Sequence, residues 1–115
     1  MSIRKMIDNY RKEIMDSESL TIDRASQMLV ELSALIGNIN DEVLDLSQVY
    51  SQKQLDIVDK EGMSIAKSNV YMQTTQEWKD LERAKGYKEV TLELIRGLKY
   101  RCRALGEEYQ VSSNL

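Results

Sequence analysis

The side chains able to do chemistry in this chain form three sets: one cysteine, a series of carboxylates and a series of cations. Cys102 stands between Arg101 and Arg103, neighbours that lower a thiol pKa. The chain has no His, so no imidazole base is at hand and no Ser-His or Cys-His pair can form. Cys102 also continues an apolar helical stripe, and a buried structural thiol is the expected reading. The carboxylates Asp41, Glu42, Asp45, Asp56, Asp59 and Glu61 raise the question of a divalent-metal site or a nucleic-acid mimic. Asp59-Lys60-Glu61-Gly62 fails the spacing of a calcium loop, because Ile57 occupies the first ligand position and Ser68 the twelfth. Helical di-metal carboxylate sites use His as well, so a plain solvated face is the simpler reading. The glycines at 37, 62, 86, 97 and 106 match no phosphate-cradling loop. The chain is therefore expected to be no enzyme, with no catalytic residue, metal or cofactor.

The cations are the more informative set. On a helix turning about 100° per residue, Lys85, Lys88, Arg96, Lys99 and Arg103 share one sector, with Trp78, Leu81 and Leu92 in the same sector. Such a face can meet a phosphate backbone with its cations and a base with its indole. It equally describes a solvated flank that balances an acidic helix packed alongside. Charge is unevenly distributed along the chain. Residues 1 to 12 hold four basic and one acidic residue, 13 to 66 hold three and eleven, and 67 to 103 hold nine and five.

Helices must position these groups. The chain has no Pro, and Glu, Lys, Leu, Met and Gln are abundant, all compatible with an all-α fold. Ile22, Ala25, Leu29, Leu32, Ile36, Ile39, Val43, Leu46 and Tyr50 recur every three or four residues as a heptad seam. Met28, Leu35 and Val49 lie beside it and widen the stripe. This pattern predicts a helix from Thr21 to Lys60, about 60 Å long. Asp59-Lys60-Glu61-Gly62 bends or ends that helix, and Met63 to Gln73 reads either as more helix or as a loop. In Thr74-Thr75-Gln76-Glu77 a capping box is expected, with the Thr74 hydroxyl accepting from the Glu77 amide and the Glu77 carboxylate reaching back. A second long helix then runs to about residue 110, its stripe made of Ala84, Tyr87, Thr91, Leu94, Leu98, Cys102 and Leu105. Gly86, Gly97 and Gly106 within it either permit close helix approach or leave the helix dependent on tertiary support. Ile3, Met6, Ile7, Tyr10, Ile14 and Met15 mark a short amphipathic helix, which Asp16-Ser17-Glu18-Ser19 separates from the long one.

The expected organisation is one all-α domain over residues 1–115. It comprises a short helix (1–16), a long helix (21–60), a connector (61–73), a second long helix (74–110) and a frayed tail (111–115). The two long helices form an antiparallel hairpin. A hairpin buries only one line of contact, so self-association through Ile22, Leu29, Leu32, Ile36, Ile39, Val43, Leu46 and Tyr50 is expected to complete the core, giving a homo-oligomer. No apolar run approaches the roughly 20 residues that span a bilayer, and Met1 to Tyr10 has no signal-peptide core. With one cysteine and hence no intramolecular disulfide or thiolate cage, the composition is that of a cytoplasmic protein with no membrane partner.

Several segments together resemble a known family: Asp16-Ser-Glu-Ser-Leu-Thr21 opening the long helix, Ser64-Ile-Ala-Lys-Ser68 in the connection, Gln76-Glu-Trp-Lys-Asp-Leu81, and Glu93-Leu-Ile-Arg-Gly-Leu-Lys-Tyr-Arg-Cys-Arg-Ala-Leu105. Over residues 16 to 109 the layout resembles small helical proteins of tailed bacteriophages related to the recombination mediator UvsY. The resemblance implies a non-enzymatic oligomer, often a ring, that binds single-stranded DNA. Such an oligomer helps load a recombinase in place of single-strand binding protein, in the host cytoplasm. Asp56 to Glu61 is acidic where the family carries a basic stretch, so no DNA-contact residue transfers by position. The candidates Trp78, Lys85, Lys88, Arg96, Lys99 and Arg103 come from helix geometry alone. Two other readings remain open. One is a phage-encoded inhibitor that covers the nucleic-acid channel of a host defence nucleoprotein with the acidic helix, in the manner of an anti-CRISPR protein. The other is a virion assembly or scaffolding component.

Overall fold

The computed structural model describes residues 2–16 and 18–114, with side chains described through Gly106. Its elements are α1 (Ile3–Met15), α2 (Ile22–Glu61), α3 (Ile65–Met72) and α4 (Gln76–Asn114), with no strand among the described residues. The fold is all-α and built on two long helices joined as a hairpin. The segment expected to fray, Val111 to Leu115, lies among residues whose side chains are outside that description.

Each helix starts where a hydroxyl can receive its free amides. Ser2 accepts from Lys5 N at 3.2 Å, Thr21 from Arg24 N at 3.1 Å and Ser64 from Lys67 N at 3.2 Å. Helix α2 ends one residue before Gly62, whose φ of +63° lies in the left-handed region that glycine adopts without penalty. The open segment Met63 to Gln73 contains α3, capped by Ser64. The capping box expected at Thr74 is displaced by one residue. Thr75, buried at the α3–α4 turn, accepts from Trp78 N at 3.3 Å and donates to Met72 O at 2.6 Å. The Thr74 hydroxyl turns back to Tyr71 O. Glu77 does not reach back to the cap, because its carboxylate is held by Lys53 at 2.9 Å.

The chain divides into two compact units: unit 1 comprises residues 1–37 and 87–115, and unit 2 residues 38–86. Both long helices pass from one unit to the other directly after a glycine, Gly37 in α2 and Gly86 in α4. In unit 1 the buried side chains are Ile7 of α1, Leu20, then Ala25, Met28, Leu32 and Leu35 of α2, and Thr91 and Leu98 of α4. In unit 2 they are Ile39 and Ile57 of α2, Ser68 and Met72 of α3, Thr75, and Leu81 and Ala84 of α4. Met28 is fully buried and Leu35 nearly so, although the heptad reading placed both beside the seam. Of the seam itself, Ala25, Leu32 and Ile39 are fully buried within the single chain. Ile22, Leu29, Ile36, Val43, Leu46 and Tyr50 are half-buried, and these are what a second copy would meet along this stripe.

One expectation for α4 is corrected and one open alternative is closed. Cys102 is half-buried rather than enclosed. A Cβ at Gly86, Gly97 or Gly106 would meet no atom within 4 Å, so these glycines do not serve close helix approach.

Candidate nucleic-acid interface

The six candidate residues on α4 divide between the units. Trp78 and Lys85 belong to unit 2, and Lys88, Arg96, Lys99 and Arg103 to unit 1. Trp78 is half-buried in the first turn of α4, its amide donating to the Thr75 cap, about five turns before Arg96. Lys85 is exposed and reaches Glu82 one turn back at 3.5 Å.

In unit 1 Arg96, Lys99 and Arg103 are all exposed, and Lys88 is half-buried two turns before Arg96. Spacings of three and four residues stack the three exposed cations on one face. Arg96 pairs with Glu93 across one turn, both side chains being 69% exposed, a situation in which an ion pair contributes little. Among the described residues, Lys88, Lys99 and Arg103 make no ion pair. Like charges one turn apart, as in Lys99 and Arg103, weaken a helix by a few tenths of a kcal/mol.

The residue that sequence reasoning passed over is Tyr100. Its side chain is 72% exposed, four residues after Arg96 and three before Arg103, so about 40° and 60° of rotation separate it from the two guanidinium groups. An aromatic ring that lies off the apolar stripe and among cations was the available signal. The contrast with Trp78 is physical. The indole sits at the α3–α4 turn and is half-buried, whereas Tyr100 is exposed on the side of α4 away from the core positions Thr91 and Leu98.

A second charged arrangement joins α1 to α2 in the same unit. Arg24 grips Glu13 with two bonds, Nε to Oε2 at 2.6 Å and Nη2 to Oε1 at 3.1 Å, and its Nη1 lies 3.3 Å from both Glu31 oxygens. Tyr10 Oη donates to Glu31 Oε2 at 3.0 Å. These groups, with Met6 and Asn9, line a cleft between the helices. The hydrogen bond to Glu13 raises the Arg24 pKa above its ordinary value. Burial, then the hydrogen bond to the Glu31 carboxylate, raises that of Tyr10. The network satisfies its own donors and acceptors, so it serves as a clasp. Arg24 and Glu13 lie eleven residues apart across a chain reversal, a pairing with no short-range signature in the sequence.

Unit 2 presents different surfaces. Lys53 bridges to Glu77, and its hydrogen bond lowers the Glu77 pKa. Gln54 Nε2 donates to Ser68 Oγ at 2.9 Å and to Asn69 Oδ1 at 2.5 Å. Asp41, Glu42, Asp45 and Asp59 are exposed, and so are the apolar side chains Leu44, Val49, Leu55, Ile65, Val70 and Tyr71. Among the described residues no group of three or more His, Cys, Asp or Glu side chains is placed to hold a metal ion. No described helix is long and apolar enough to cross a membrane. No protein-family model, curated protein or solved structure matches the chain.

Proposed function

We propose that this protein is a non-enzymatic DNA-recombination accessory of the mediator type, a self-associating helical protein that holds single-stranded DNA on the α4 face of unit 1. One observation carries the reading: Tyr100 stands exposed along α4 between Arg96 and Arg103, and among the described residues Lys99 and Arg103 make no ion pair. Single-strand binding combines cations that follow the backbone with aromatic rings on which bases stack, and this face offers both within two helical turns. One face of this size binds weakly and is sensitive to salt, so several copies in one assembly supply the affinity. The exposed apolar side chains of unit 2 are of the kind covered by protein partners, and they support self-association and contact with a recombinase or single-strand binding protein. The resemblance to phage recombination mediators agrees with this assignment and supplies the cytoplasm of the host as its setting.

Light-scattering mass and fluorescence anisotropy with labelled single-stranded DNA, on one preparation at low and moderate salt, test the proposal. An oligomer is expected whose affinity falls as salt rises. Replacing Arg96, Lys99 and Arg103 by Glu should abolish binding with helicity retained, and Tyr100→Ala should weaken it by about 1–3 kcal/mol per stacked base lost. Unchanged binding by both variants would discard this face.

A second reading is favoured by a separate observation, the exposed Leu44 flanked by exposed Asp41, Glu42 and Asp45 on α2. An acidic face with an apolar residue at its edge suits the cationic channel of a host nucleoprotein. That function would show as a tight protein complex from a protein that ignores DNA at low salt.

A further inference from the structure

Helix α1 carries a repeat that the assignment above leaves unused. Arg4-Lys5 recurs seven residues later as Arg11-Lys12. Seven residues are two turns less about 20°, so the two dipeptides lie on one side of the helix, roughly 10 Å apart along its axis. All four side chains are exposed and make no ion pair among the described residues. Asp8 stands on the same side, one turn from each of the four, and leaves that side with a net charge of +3. Glu13 turns inward and is neutralised by Arg24, which leaves Asp8 as the opposing charge within the helix. Glu13, about 180° from Arg4 around the helix, lies on the side that the clasp fixes to α2.

We infer that the outer side of α1, through Arg4, Lys5, Arg11 and Lys12, is a second contact for the phosphate backbone of single-stranded DNA. The inference rests on the DNA-binding reading of α4 and extends it to another element of the same unit. Three features select a polyanion. The cations are long and flexible, they repeat along the helix, and the exposed apolar surface on their side is confined to Met15 at its C-terminal end. An anionic membrane is the other polyanion that a basic amphipathic helix can meet, but such a helix must lower its apolar face into the lipid. Here that face is occupied. Ile7 is 3% exposed, and Ile3, Met6, Tyr10 and Ile14 are half-buried, so only the charged side is available. Contact through such a side is Coulombic and independent of sequence, and it steepens the salt dependence more than it adds selectivity.

The test uses the full chain with Arg4, Lys5, Arg11 and Lys12 all replaced by Gln, which leaves Tyr10, Glu13, Arg24 and Glu31 in place. Anisotropy with labelled single-stranded DNA across a salt series gives the slope of log affinity against log salt, about 0.7 per phosphate contact. The variant is expected to keep wild-type helicity and to lose up to about 2.8 from the slope, 0.7 for each of the four contacts. A double variant, Lys5→Glu with Lys12→Glu, makes the same change in charge and should lower affinity at low salt to a comparable extent. A quadruple variant with the wild-type slope would overturn the inference and leave the α4 face standing. A wild-type protein that binds no single-stranded DNA would overturn both. Sedimentation with phosphatidylserine vesicles is the third arm. Wild-type binding to vesicles that the quadruple variant loses, with an unchanged DNA slope, would assign the side to a membrane instead.

Discussion

Unit 1 and unit 2 are built from the same kind of material, segments of α2 and α4 with one shorter helix, yet they are fastened differently and face solvent with different chemistry. In unit 1 α1 is fixed by a guanidinium held between two carboxylates. In unit 2 α3 is fixed by an amide-to-hydroxyl network from Gln54 to Ser68 and Asn69, while a single ion pair joins α2 to α4. Unit 1 has ten basic and ten acidic residues, and unit 2 has six and nine, so the net charge of −3 resides in unit 2. The balanced unit nevertheless presents unpaired cations and an exposed Tyr, because part of its acidic complement is turned inward. The acidic unit instead presents most of the exposed large apolar side chains. Net charge is thus a poor guide to what a region binds. Which charges are neutralised internally decides what remains outside.

Core truncation gives the largest contrast. Leu98→Ala in unit 1 and Met72→Ala in unit 2 each remove a side chain with no exposed surface, and each should destabilise by about 2–5 kcal/mol in urea unfolding. Amide exchange would show whether each loss stays within its own unit, as the division predicts, or spreads to both. Breaking the fastenings comes next. Arg24→Ala leaves Glu13 and Glu31 without their cation and should cost about 1–2 kcal/mol, read as faster exchange of α1 amides. Lys53→Met removes a partly exposed pair and should cost under about 1 kcal/mol.

The fastenings should also fail at opposite ends of the pH scale. Glu77 has a lowered pKa in the folded chain. Its contribution is therefore complete above the ordinary Glu value and is lost as pH falls through the lowered one, because the unfolded chain then binds the extra proton. Tyr10 has a raised pKa. Its contribution is complete below the ordinary value of about 10 and is lost as pH rises through the raised one. Thermal unfolding across pH should show an acid-side loss that Lys53→Met flattens and an alkaline-side loss that Tyr10→Phe flattens. Equal pH profiles for wild type and these variants would contradict the assignment.

The smallest effects come from glycine. Gly37→Ala places a methyl group in open space within a helix and should stabilise by up to about 1 kcal/mol. The same change at Gly62, where φ is +63°, should destabilise by about 1–2 kcal/mol. Opposite shifts in the unfolding midpoint are the expected result.

The sequence made the helices legible because their signals are local: the three- and four-residue recurrence along α2, the absence of proline, and the glycine that stops α2. It misplaced the α4 cap by one residue, since Thr74 and Thr75 are chemically equivalent candidates. Only the turn geometry, which presents the Thr75 hydroxyl to the Trp78 amide, distinguishes them. It placed the basic face on α4 but chose Trp78 as its aromatic, because an apolar ring in the right sector cannot be distinguished by phase alone from one covered by neighbouring elements. Tyr100, outside that sector and off the stripe, is the ring left exposed. The clasp around Arg24 was illegible for a different reason, being a contact across a chain reversal between residues that individually look like solvated charges. The division into two units was equally absent from a seam that runs unbroken from Ile22 to Tyr50.

The central claim is that nucleic acid engages unit 1 while unit 2 faces protein. Hydrogen exchange of the full-length protein, with and without a single-stranded oligonucleotide at low salt, tests it most directly. The account predicts slower exchange in α1 and in residues 88–104 of α4, with 38–72 unchanged. Slowing confined to residues 38–72, or no change anywhere under conditions where the oligonucleotide is bound, would contradict it.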